Sequence, residues 1–349
     1  MRGRHLAFLL TPLLLGFLAA CGRAPLHQQQ AFVFGTRVEV LIAGQTEAAA
    51  RPAAAAVLRE FDRLHRLYHA WQPSELSRLN EAIAGGRAAP VTPALAALIS
   101  EAQRLSLASE GLFDPGIGRL IGLWGFQSDD LPVALPDAAA LAAWRAARPG
   151  IADLRVAGGE VSSGNRAVAL DFGGYLKGVA LDRAAAILKA QGVHHALINI
   201  GGNVLALGSK NGEPWRVGIQ HPRQPGALAT LELGDGEAVG TSGDYQRYFE
   251  VGGRRYSHLL DPRSAEPVRH TQALTVLVSA DAGAGAGTLS DVASKPLFIA
   301  GADWPRLARA LHVEHVLRVD GEGRVQVSRA MHARLTYVGG QPKALEKIP

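Results

Sequence analysis

Three of the chain's six glycine pairs, each closing an apolar or aromatic run, constrain it more than any other feature. Gly173-Gly174 follows "VALDF", Gly201-Gly202 follows "HALINI", and Gly252-Gly253 follows "YQRYFEV". Glycine adopts left-handed backbone without steric cost, so such pairs mark tight reversals or close backbone approaches. Gly252-Gly253 suits the two-residue turn of a hairpin in "YQRYFEVGGRRYSHLLD". "HALINIGGNVLALG" reads as a buried strand broken by its pair, at a bulge where two backbones pass or at a phosphate-accepting turn. "DFGGYLKGVALDRAAAILKAQG" reads as a strand end, a turn and a helix.

Strands therefore lie beside strands. "AFVFGTRVEVLIAG" (31–44) alternates apolar and polar residues up to a glycine, and "WRVGIQHP" is another strand. Strand signals also dominate from Ile151 to Leu170. Helical spacing runs from Glu47 to about Tyr68. A second helix opens at Pro93 behind Thr92 and stops at Gly111, and an alanine-rich third lies near Pro136 to Arg148. This order predicts an α+β fold of mixed, mainly antiparallel sheets with packed helices, not a doubly wound parallel sheet. At 349 residues and 48% hydrophobic content the chain can bury a substantial core. Its net charge of +5 is spread without any block of basic residues interleaved with aromatics, so nucleic acid is not expected as a partner.

The N-terminus has a separate purpose. Arg2 and Arg4 precede the apolar run "LAFLLTPLLLGFLAA", which is short for a membrane span and ends at Cys21, the sole cysteine. One cysteine cannot form an internal disulfide. The spacing resembles a bacterial lipobox, with Cys21 lipidated and Gly22 weakly favouring the outer membrane. The expected organisation is a lipoprotein signal over 1–21, a polar tether over 22–30 and one domain over 31–349. This places the protein in the cell envelope, periplasm-facing, and held to the inner or outer membrane by a lipid anchor.

Several residues could carry chemistry. Asp171, Gly174 and Lys177 surround a glycine turn that opens a helix, where free N–H groups and an ammonium attract anions. The turn is not a Walker loop, which would end Gly-Lys-Ser/Thr. His258, beside the Asp261-Pro262 turn, has the placement of a general base or of a structural histidine. His65 and His69 have metal-ligand spacing, but without the HExxH glutamate they read as a solvent-facing pair. "TSGDYQRYF" lacks the partners of a protease nucleophile.

These segments, with "FGT" (34–36), "WQPSELSRLN" (71–80), "GLFDPGIGRLIGLWGF" (111–126) and "YSHLLDPRSAEP" (256–267), resemble in content and order the ApbE-type FAD:protein FMN transferases. The resemblance spans about residues 31 to 310 and implies that family's T-fold-like architecture. It implies FAD as substrate, FMN attached through a phosphoester to a Thr or Ser of an extracytoplasmic acceptor flavoprotein, and AMP released. The alternatives it leaves are an FAD pyrophosphatase and a non-catalytic FAD-binding accessory lipoprotein. By similarity the catalytic residues are His258, Lys177 and Asp291. Those at the cofactor are Phe34, Trp71, Leu112, Phe113, Asp114, Asp171, Lys177, Thr241 and Ser242, with Asp244 close to His258. Gly174 and Asp291 would hold Mg2+.

One segment departs from the family. In "SDVASKPLFIAG" (290–301) Asp291 is kept, but Lys295 stands where relatives have a threonine ligand, and Asn203 stands where they often have aspartate. A charged lysine offers three donors and no lone pair. Pro296 would disrupt a helix begun at Asp291, so a helix starting at Ser294 is expected, with Asp291 out of register. Three readings follow. Lys295 replaces the ion's charge; the protein holds FAD without turnover; or Lys295 turns to solvent while Gly174, Asp291 and waters keep the metal.

Overall fold

The structure, a computed structural model, describes residues 25–128, 130–281 and 285–348. Its centre is a nine-stranded sheet. In spatial order the strands are β1 (Leu26–Val33), β2 (Thr36–Ala43), β3 (Ala196–Ile200), β4 (Asn203–Leu207), β5 (Ala238–Gly243), β6 (Thr271–Val278), β7 (His315–Asp320), β8 (Val325–Ser328) and β9 (Leu345–Ile348). All neighbours run antiparallel except β8 and β9. Gly201-Gly202 is a turn joining two strands, not a bulge within one: Ile200 pairs with Asn203, and the glycines take φ of 58° and 96°. That conformation is open to glycine and strained for most other residues.

Alternation along the strands feeds two cores. Leu205, Leu207, Leu274, Val276 and Val278 face a helix layer of α1 (Glu47–Leu67), α2 (Glu75–Ala84), α3 (Pro93–Ala108), α4 (Leu176–Ala190) and α5 (Ala286–Ala300). The alternate residues Val204, Ala206, Ala273 and Leu277 pack with Trp215, Leu231 and Leu233 of a smaller sheet. A third cluster joins Trp124, Trp144, Phe249 and Tyr256. It grips the hairpin Tyr248–Val251/Arg254–Ser257, whose turn is Gly252-Gly253, and so fixes where His258 emerges. Thr92 caps α3 by accepting from Leu95 N–H, while α2, which the sequence reading did not distinguish, starts on a reciprocal Ser74–Ser77 cap.

Two expectations are corrected. Residues 26–30, read as tether, are the first half of β1, with Leu26 paired to Ala43. Gln28 and Gln30 point to solvent from this edge strand, so polar composition is no bar to pairing. The second correction is α5, which starts at Ala286 and runs through Pro296. Proline inside a helix costs about 3 kcal/mol through its missing N–H and its ring. Here the helix is buried along nearly its whole length, and Val292, Leu297 and Phe298 are fully enclosed, which offsets that cost. Asp291 and Lys295 therefore share one helical face. The proposed signal segment and Cys21 lie outside the described residues. No helix among the described residues is long and apolar enough to cross a membrane.

Candidate active site

The site is assembled where the first turn of α4 meets the middle of α5. Gly178 makes the contact possible: a Cβ there would lie 2.5 Å from Gly287 O and 2.7 Å from Asp291 Cβ. Asp182, one turn further along α4, accepts the N–H groups of Gly287 and Thr288 at 2.8 Å each, so α4 also caps α5. Asp291 is 1% exposed and all its bonds run to fixed donors. Oδ2 accepts Gly178 N–H at 2.8 Å; Oδ1 accepts Asn203 Nδ2 at 2.9 Å and Lys295 Nζ at 2.6 Å. Lys295 also donates to the Asp291 main-chain oxygen at 2.7 Å, so its ammonium is held over one helical turn.

Lys177 differs from Lys295. Among the described residues its ammonium has no hydrogen-bond or ion-pair partner. Burial pulls its pKa below the usual lysine range, Asp291 opposes that shift and Lys295 adds to it. Asp171 stabilises the preceding turn. Its Oδ1 accepts Gly173 N–H at 2.7 Å and its Oδ2 accepts Trp71 Nε1–H at 3.0 Å, while burial raises its pKa against those donors.

His258 has one ring nitrogen committed. Its Nδ1 lies 3.1 Å from Arg247 O. A carbonyl only accepts, so Nδ1 carries the proton and Nε2 keeps its lone pair. Burial, and after it the charges of Lys177, Lys295 and Arg247, push its pKa down to about 4, against the opposing effect of the Arg247 carbonyl. At neutral pH this is a neutral base among cations.

Aromatic rings flank the site. Phe34, His65, His69 and Trp71 form a row with centroid spacings of 5.8, 4.9 and 5.6 Å, and the Arg247 guanidinium lies 6.0 Å from the Trp71 ring. Both histidines are partly buried, so the expected solvent-facing pair is instead packed edge-to-face in this row. Burial lowers both their pKa values, and His69 Nδ1 accepts the N–H groups of Trp71 and Gln72. Trp71 itself stays 38% exposed, with a face available to a planar ring.

Other expected contacts are spent elsewhere. Leu112 and Phe113 are 5% and 4% exposed and pack in the main core. Asp114 accepts the N–H groups of Gly116 and Ile151 and locks a turn; burial pushes its pKa up to about 6. Thr241 and Ser242 are consecutive on β5 and face opposite sides of the sheet. The Thr241 hydroxyl meets Thr275 at 3.0 Å; that of Ser242 meets Ser294 at 2.8 Å. Asp244 is clamped by Arg223 in a bidentate pair at 2.7 and 2.6 Å. Reasoning from sequence missed Asp182 and Arg247, whose roles depend on contacts between distant segments.

Magnesium does not fit the donor set. The Asp291 carboxylate already accepts three N–H donors, and a Cβ on Gly174 would come within 2.9 Å of Lys295 Cε. The lysine thus fills the space between the two expected ligands and supplies no lone pair. Among the described residues no group of three or more His, Cys, Asp or Glu could hold a metal ion.

A neutral base beside unpaired positive charge, with an aromatic face alongside, is equipment for displacement at an anionic phosphate. The chain belongs to the ApbE family, whose model matches residues 34–317. It is 44% identical over 327 residues to the FAD:protein FMN transferase of Rhodobacter capsulatus, covering 93% of this chain and 61% of that protein's length. It resembles the crystal structure of the ApbE protein from Thermotoga maritima at a TM-score of 0.80 and 28% identity, over 89% of this chain and 99% of that one. It also resembles the apo flavinyl transferase ApbE of Pseudomonas stutzeri at 0.77 and 28%, over 92% and 99%.

Proposed function

We propose that this protein is an FAD:protein FMN transferase. The observation that carries the reading is His258, with Nε2 free and neutral, in the field of Lys177, Lys295 and Arg247. The hydroxyl oxygen of an acceptor Thr or Ser attacks the FMN-side phosphorus of FAD. Its proton passes to His258 Nε2, the new P–O ester forms, and the bond to the bridging oxygen breaks to release AMP. Phosphoryl transfer is mainly positioning and charge stabilisation. Lys177 meets the diphosphate, and Trp71 and Phe34 offer faces to its rings. Asp291 acts by positioning Lys295 and Gly178. No step is assigned to Mg2+.

Arg2, Arg4 and the apolar run ending at Cys21 support an envelope lipoprotein, lipid-anchored and acting on an extracytoplasmic acceptor. The test incubates the full chain with FAD and an acceptor protein. Equimolar AMP and an acceptor heavier by one FMN support the reading. AMP with an unmodified acceptor would make this a pyrophosphatase, and bound FAD without AMP a flavin holder.

A further inference from the structure

We infer that the Lys295 ammonium, clamped by Asp291, is the protein's own substitute for a divalent cation, so that the diphosphate is bound and cleaved without metal. This rests on the flavin-transfer reading above. Three contacts argue for it together. Lys295 Nζ is fixed at 2.6 Å on Oδ1 and 2.7 Å on the main-chain oxygen of the same aspartate, a cradle that holds the charge still. Asn203 donates to that Oδ1 at 2.9 Å, so position 203 contributes an N–H here, not a second carboxylate. The lysine stem lies against Gly174, which brings the ammonium beside the turn that opens α4.

Charge balance makes the three one device. One carboxylate and one ammonium cancel, whereas two carboxylates and a hydroxyl would require a dication to bind an anionic substrate. Two donors of Nζ are spent on Asp291, and the third is free for a phosphate oxygen. Lys295 is 19% exposed at its side chain, enough to be reached. In the reaction it neutralises charge growing on the bridging oxygen as the bond to AMP breaks; it gives up no proton, since His258 takes the one released.

The test measures FMN transfer by the full chain in EDTA and in Mg2+, together with FAD affinity and Mn2+ binding by EPR. Wild type is expected to show transfer rates and FAD affinities equal within about twofold in the two buffers, and no tight Mn2+. Lys295→Met should lose about 100-fold in kcat and stay low in Mg2+, while Lys295→Arg, which keeps the charge, should keep most of the rate. Asn203→Asp with Lys295→Thr should bind Mn2+ and become EDTA-sensitive. Wild-type transfer that stops in EDTA and returns with Mg2+ would overturn this inference and leave the transferase reading standing. A full rate in Lys295→Met would also overturn it. Absence of AMP in both buffers would end both.

Discussion

Two segments face each other across the site, and each carries a lysine, yet they are built by opposite means. The 171–178 turn is held by its own carboxylate: Asp171 binds Gly173 N–H and Trp71, and Lys177 has no hydrogen-bond or ion-pair partner among the described residues. The 291–295 segment spends its carboxylate on its own lysine. One element presents an ammonium without a partner among the described residues and the other a charge locked in position. An anion with two phosphates can use both, one cation free to pair with it and the other defining where it must sit.

His258 is the group both lysines act upon, and its loss should have the largest effect. His258→Ala is expected to lower transfer by about 10²–10⁴-fold with FAD still bound, as read by AMP release and flavin fluorescence. Next is Gly178→Ala, which drives a methyl into Gly287 O at the joint between the segments. It should lower stability by about 1–3 kcal/mol, read as a fall in melting temperature, and displace Asp291. A smaller change follows from Trp71→Ala, with FAD binding weakened by about 1 kcal/mol in calorimetry.

The subtlest effect is electrostatic. His258 is deprotonated above about pH 4, so kcat/KM should hold through mildly acidic pH and not fall near the ordinary histidine value of about 6.5. Removing either neighbouring ammonium, by Lys177→Met or Lys295→Met, takes away a charge that disfavours the imidazolium. The His258 titration, followed by NMR in the free protein, should then move up, and an unchanged titration would place the lysines elsewhere.

The same comparison shows what was legible in the sequence. The 171–178 turn was readable because glycines, an aspartate and a lysine act within one short stretch, and local physics dictates most of their geometry. The second segment misled. Pro296 predicted a helix starting at Ser294, and only burial by α4, β5 and β6 explains why α5 passes through it. That β5 sends Thr241 and Ser242 to opposite faces is likewise something a motif read as a string does not show. The core packing of Leu112 and Phe113 was not legible from their motif. Arg247 and Asp182 gave no local signal, since each matters for a group far away in the chain. The order of strands and helices gave the α+β class; the nine-strand sheet order required pairings from β2 to β3 and from β4 to β5 that no short segment encodes.

The most direct test of the central claim is a crystal structure of the full chain with FAD, grown in EDTA. The account predicts a diphosphate within hydrogen-bond reach of both Lys177 and Lys295 Nζ, the Trp71 face against a ring, and His258 Nε2 facing the FMN phosphorus. A diphosphate bound away from Lys295, or one seen only when Mg2+ is added with the lysine turned out of its place on Asp291, would contradict it.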